Sequence, residues 1–207
     1  MTGQGHAVRQ PVVAGSFYAG AAGALASDVD ELLSAAHVNP PAAGETIRGV
    51  VSPHAGYVYS GPVAASAYRF LGAAPTPARI LLLGPSHFAP LRGLAVTSAD
   101  AWRTPLGDVP IDQPGRAALL TAGALRSDVP HATEHSLEVQ LPFVTRCFPG
   151  VPVLPVAVGE GDPHAAAEVI AATLDDDGLL VVSTVLSHYL DADTARRVDA
   201  RTAAAVE

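Results

Sequence analysis

Three short runs rich in aliphatic residues, Ile47–Ser52, Arg79–Gly84 and Gly178–Val185, limit what this 207-residue chain can fold into. None alternates polar and apolar residues, which is the pattern of strands covered on both faces. Such strands need helices on either side, so the sequence predicts an α/β domain with a mixed or mainly parallel central sheet flanked by helices. A histidine follows each run, in Pro53-His54-Ala55-Gly56-Tyr57, Pro85-Ser86-His87 and Ser187-His188-Tyr189. Ligands of open α/β sheets sit outside the carboxyl ends of the strands, where the three imidazoles can converge.

Helical patterns lie between the runs. Leu25, Val29, Leu32 and Leu33 form a stripe at helical spacing over Ala21 to Ala36. A second helix is expected to run to Leu71, with Ser60 as N-cap and Pro62 in its first turn. Gly93 to Ser98 and Asp108 to Asp112 read as strands, joined by the turn-rich Trp102-Arg103-Thr104-Pro105-Leu106-Gly107. Further helices are predicted over Pro114 to Ala122, Glu134 to Cys147, Pro163 to Leu174 and from Asp193 onward. Thr133 would cap the second of these and Pro142 would kink it. Val151 to Val158 reads as a strand at an edge or irregular position, because it contains Pro152 and Pro155.

Composition removes much of the chemistry common to α/β folds. There is no lysine, which excludes a Schiff base, a pyridoxal phosphate lysine and a P-loop lysine. Cys147 is the sole cysteine, so neither an internal disulfide nor an all-cysteine metal site can form. A net charge of −8 argues against nucleic acid, whose phosphates need a basic face. The apolar runs are shorter than a bilayer span, and no basic amphipathic helix suggests a membrane surface. Residues Met1 to Gln10 lack a hydrophobic signal core, and the expectation is a cytoplasmic protein.

Neutral imidazoles at a sheet edge can bind a divalent metal, and two histidines with one carboxylate is a common iron arrangement. His54, His87 and His188 are the candidate ligands. Glu134, His135 and His188 are the candidates for proton transfer, although acidic residues also suit a first helical turn for dipole reasons alone. His6, His37, His131 and His164 lie in loops or at helix ends and read as solvent-exposed. A second reading makes the cleft a binding site for a peptide, a protein partner or a small metabolite, with Arg103, Trp102 and Tyr57 suited to an anionic or aromatic group. A third makes Ser86 or Ser187 a nucleophile, although Gly84-Pro85-Ser86-His87 lacks the second glycine of a nucleophile elbow. Gly159-Glu160-Gly161 has His164 where a dinucleotide loop needs its third glycine, and reads as an ordinary turn.

At these residues the chain resembles the MEMO family, whose bacterial and archaeal members are called AmmeMemoRadiSam system protein B. The matching stretches are Pro11 to Tyr18, Pro53 to Gly61, Gly84 to His87, Trp102 to Gly107, Glu134 to Phe143 and Ser187 to Tyr189. They occur in family order and span nearly the whole chain. The resemblance implies a fold like that of the class III extradiol dioxygenases. It matches His54 and His87 to the metal-site histidines and His188 to a further pocket histidine. Iron or copper is the implied metal. In animals the family is linked to recognition of a phosphotyrosine-bearing receptor tail; in prokaryotes the implied partners are a radical SAM protein and an AMMECR-type protein. Two departures stand out. Ser183-Thr184-Val185 replaces the family's Ser-Ser-Asp, so the acid is lost. The chain also stops at Glu207, inside the helix before the family's strand with a Cys-Gly pair. The expectation is therefore one MEMO-like domain over 1–207 without that strand.

Overall fold

The computed structural model describes residues 7–42 and 44–205. A short strand, β1 (Val8–Arg9), leads through a loop to helix α1 (Ala22–Ala35), whose Leu25 and Val29 are buried. The first aliphatic run forms β2 (Gly49–Ser52), and the loop after it enters α2 (Tyr57–Leu71). This helix begins earlier than its sequence suggests, because Phe17 O accepts from the Tyr57 N–H and anchors its first residue. Ser60 consequently lies inside the helix, with its hydroxyl donating to Ala55 O at 2.8 Å.

The second run forms β3 (Arg79–Pro85), followed by β4 (Leu94–Val96). Trp102 to Gly107 is more regular than a connection, since β5 (Ala101–Thr104) and β6 (Gly107–Pro110) pair there as an antiparallel hairpin. Next come α3 (Gln113–Thr121) and β7 (Leu125–Arg126). Two short 3-10 turns, Val129–His131 and Glu138–Gln140, precede α4 (Leu141–Cys147). The chain continues with β8 (Val153–Val158), α5 (Pro163–Ala171), β9 (Gly178–Ser183) and α6 (Ala192–Ala203).

The main sheet has the order β2-β9-β3-β8-β4-β7. Its first four strands are parallel, β4 runs antiparallel to β8, and β7 runs parallel to β4. The sheet is mixed, as predicted. A second sheet, β1-β5-β6, holds the N-terminal segment. Side chains alternate across β3: Ile80 and Leu82 join the core that includes α1, α2 and α4, whereas Leu81 and Leu83 join residues of α3 and α5. On the first face, Phe143 of α4 stacks on Tyr68 of α2 at 5.1 Å.

Two expectations need correction. Strand β8 lies inside the sheet, paired with β3 on one side and β4 on the other. Val153 O accepts from Asp112 N on the β4 side, and Pro155, two residues on, points its missing N–H the same way. Pairing with β4 begins only at Val156, so no ladder bond is forfeited there. The long helix from Glu134 does not form either. Glu134 turns its carboxylate onto the backbone N–H groups of His135 and Ser136, both at 2.9 Å, which holds a loop instead. Pro142 then sits in the first turn of α4, where its missing N–H costs nothing, and starts that helix rather than kinking it.

Candidate metal centre

Strands β2 and β3 are not neighbours. Strand β9 runs between them, with Ser183 in register with Ser52 and Val182 with Leu83. His54 follows the end of β2 and His87 the end of β3, one on each flank of β9. The third imidazole comes from His135, in the loop between the two 3-10 turns. Gly84 lets that loop close on the sheet: a Cβ there would lie 2.8 Å from Leu137 Cδ2 and 2.9 Å from Ser136 Oγ. No other residue leaves that space free.

One ring nitrogen from each of His54, His87 and His135 lies within 4.8 Å of the others, close enough for the three to share one ion. Ring centroids are 5.2 Å apart for His54 and His87, 5.6 Å for His54 and His135, and 5.0 Å for His87 and His135. His54 is buried, His135 is half-buried and His87 is the most open. Phe17 packs on His135 at 4.8 Å, and the exposed ring of Phe88 lies 5.8 Å from it.

Glu134 anchors the open side. Its carboxylate accepts from the His87 backbone N–H at 2.6 Å and from His87 Nδ1 at 2.9 Å. A carboxylate can only accept, so Nδ1 carries the proton and His87 Nε2 keeps its lone pair. Burial pushes the Glu134 carboxyl up, but the N–H groups of His87 and Ser136 and the His87 ring outweigh it and hold the acid below its usual range. His54 is pushed down to about 4, by burial first and then by His87 and His135. Burial also lowers His135. Imidazole binds metal in its neutral form, so these shifts suit the donor set to a divalent ion. Three imidazoles backed by a carboxylate match the ligand chemistry of iron, copper or zinc.

Other candidates lie elsewhere. His188 is exposed, with its ring against Tyr189, and is not part of the cluster. Trp102 is buried beneath the Arg9 guanidinium, 4.2 Å from its ring centroid, and has no face for a ligand. Arg103 pairs with Asp108 across the β5–β6 hairpin, and the buried Tyr57 donates to Val139 O. Neither serine has a histidine base: Ser86 donates to Ala89 O, and Ser187 Oγ has no hydrogen bond among the described residues. Burial raises the Cys147 thiol to about 11, which makes it unreactive. His37 and His164 are exposed as expected, and His6 lies outside the described residues. His131 is buried, contrary to expectation, because its 3-10 turn packs its ring edge-on against Trp102 at 5.4 Å.

Sequence reasoning missed Phe17, Ser183 and Gln140. Ser183 lies 3.1 Å from His54 Nδ1 and receives Gln140 Nε2 at 2.9 Å. The available signal was Ser183 itself, a polar residue closing an apolar strand as Ser52 closes β2.

Residues 9–207 match the family model described as Memo-like protein. A MEMO1 family protein of Methanopyrus kandleri is 40% identical over 163 residues, covering 74% of this chain and 58% of that protein. One from Methanococcoides burtonii is 38% identical, covering 93% and 72% respectively. One from Thermotoga maritima is 35% identical, covering 96% and 77%. The chain thus spans less than two thirds of the first relative and about three quarters of the other two.

Proposed function

The chain belongs to the Memo-like protein family, and from that premise we propose that it holds a metal ion, iron or copper, on His54, His87 and His135. The observation that carries this reading is the approach of three imidazole nitrogens to within 4.8 Å of one another at the end of the sheet. Bound there, the ion would supply Lewis acidity or redox chemistry, and either metal accepts imidazole donors. The protein's own contribution is to keep the His54 and His135 rings neutral by burial and to orient His87 through Glu134. The half-open His87 leaves an approach from solvent, flanked by Phe17 and Phe88.

Metal analysis of purified protein tests the proposal. Wild type is expected to carry iron or copper, and the His54→Ala/His87→Ala double variant to carry neither. Equal metal content in both would overturn it. On the family resemblance alone, we also propose a radical SAM protein and an AMMECR-type protein as partners and the cytoplasm as location. Co-purification with a tagged chain and cell fractionation test these. Among the described residues no helix is long and apolar enough to cross a membrane.

A further inference from the structure

Behind His54 lies a chain of uncharged hydrogen-bonding groups whose directions are all determined. Gln140 Nε2 lies 2.9 Å from Pro53 O, which can only accept, so the amide NH2 faces that way. The same nitrogen donates to Ser183 Oγ at 2.9 Å, and Gln140 Oε1 accepts from the Tyr68 hydroxyl at 3.1 Å. Ser183 Oγ lies 2.6 Å from Ser136 O, a second group that can only accept. The single hydroxyl proton of Ser183 is therefore committed to Ser136. One of its two lone pairs is filled by Gln140, and one remains. The remaining neighbour is His54 Nδ1 at 3.1 Å, and only an N–H can fill that place.

We infer that Ser183 and Gln140 are positioning residues that hold His54 in its Nδ1–H tautomer, leaving Nε2 as the atom that ligates the metal. This rests on the metal-binding reading above for its purpose, but not for its geometry. Tyr68, Ser136, Gln140 and Ser183 are all buried, so water does not compete for these bonds. The groups come from α2, the loop before the second 3-10 turn, that turn itself and the end of β9. The tautomer of one imidazole is thus set by the packing of four separate parts of the fold. His87 reaches the same tautomer through the charged carboxylate of Glu134, whereas His54 reaches it through neutral groups alone.

Ring-nitrogen NMR of 15N-histidine-labelled, chelator-washed protein at neutral pH tests the inference, with the His54 signals assigned by loss in His54→Ala. Wild type should show His54 Nδ1 protonated and Nε2 bare. Ser183→Ala should shift the ring toward the Nε2–H tautomer and weaken metal binding about 10- to 100-fold, and Ser183→Thr should restore both. A protonated Nε2 in wild type, or an unchanged tautomer in Ser183→Ala, would overturn it. If Ser183→Ala does not fold, the wild-type spectrum alone decides. If the tautomer is as expected but wild type retains no metal, the metal reading fails and the positioning role stands.

Discussion

Glu134 and Glu138 lie four residues apart, are equally buried, and each gathers several donors, yet they do different work. Glu138 accepts from Arg9 Nη1 at 2.7 Å, from the N–H groups of Val12 and Val13, and from the Tyr18 hydroxyl at 2.8 Å. Every one of these partners lies between Arg9 and Tyr18, so Glu138 pins the N-terminal segment to the body of the protein. Burial and then the Glu138 charge raise the Tyr18 phenol well above its usual value, which keeps it a donor. Glu134 accepts from the His87 ring and from the backbone around it. One carboxylate faces a permanent cation and fixes structure; the other faces an imidazole and orients that ring. Residue type, burial and spacing do not separate them. Partners do.

The largest expected effect comes from removing the structural member. Glu138→Ala leaves Arg9 buried without its counter-charge and two N–H groups unsatisfied, and should cost about 3–5 kcal/mol in urea unfolding. The fraction that folds should still bind metal as wild type does. A stable variant that had lost metal binding would reverse the assignment of the two acids.

The structural side extends through Arg9, whose Nε donates to His131 O at 2.8 Å. His131 is pushed down to about 4, by burial first and then by Arg9. The unfolded chain takes up this proton as pH falls below about 6.5, and the folded protein does so only near 4, so the stability is complete above that window and lost on descending through it. The full loss is on the order of 3 kcal/mol. His131→Phe, which keeps a ring against Trp102, should flatten that part of the pH profile of urea unfolding. His54 titrates over the same window in both proteins, so their difference isolates His131. Equal slopes would remove His131 from the structural network.

The smallest effect falls on the site. Glu134→Gln keeps the shape and an acceptor but removes the charge behind His87, and should weaken metal binding about 10- to 100-fold. Competition against a chromophoric chelator measures this. Unchanged affinity would mean that the carboxylate serves the loop alone.

Much of this architecture is legible in the sequence where one strong force decides. Unalternating aliphatic runs mark strands of the central sheet, and the histidines after β2 and β3 follow them to the site. Full cover on both faces fails at the sheet edge, where Val51 of β2 is 52% exposed. Legibility fails where backbone bonding overrides pattern. The run Leu137, Leu141 and Val144 has helical spacing, but Glu134 bonding its own neighbours and Pro142 opening α4 break the helix and swing His135 inward. The third run delivers its group at the strand end, Ser183, because register places that residue opposite Ser52. His188 lies beyond the end of the ladder and faces solvent. His131 looked like a loop histidine because nothing local reveals that Trp102, distant in sequence, covers it.

The strand order also dictates a sequence of assembly. His54 and Ser183 are 129 positions apart, and β9, the last strand among the described residues, enters between two strands made much earlier. Until it arrives, β2 has no strand partner, and its pairing must close a very long loop. A chain still emerging from the ribosome thus displays the imidazoles of His54 and His87 without the wedge that spaces them. The cluster takes its spacing only when β9 slots between β2 and β3.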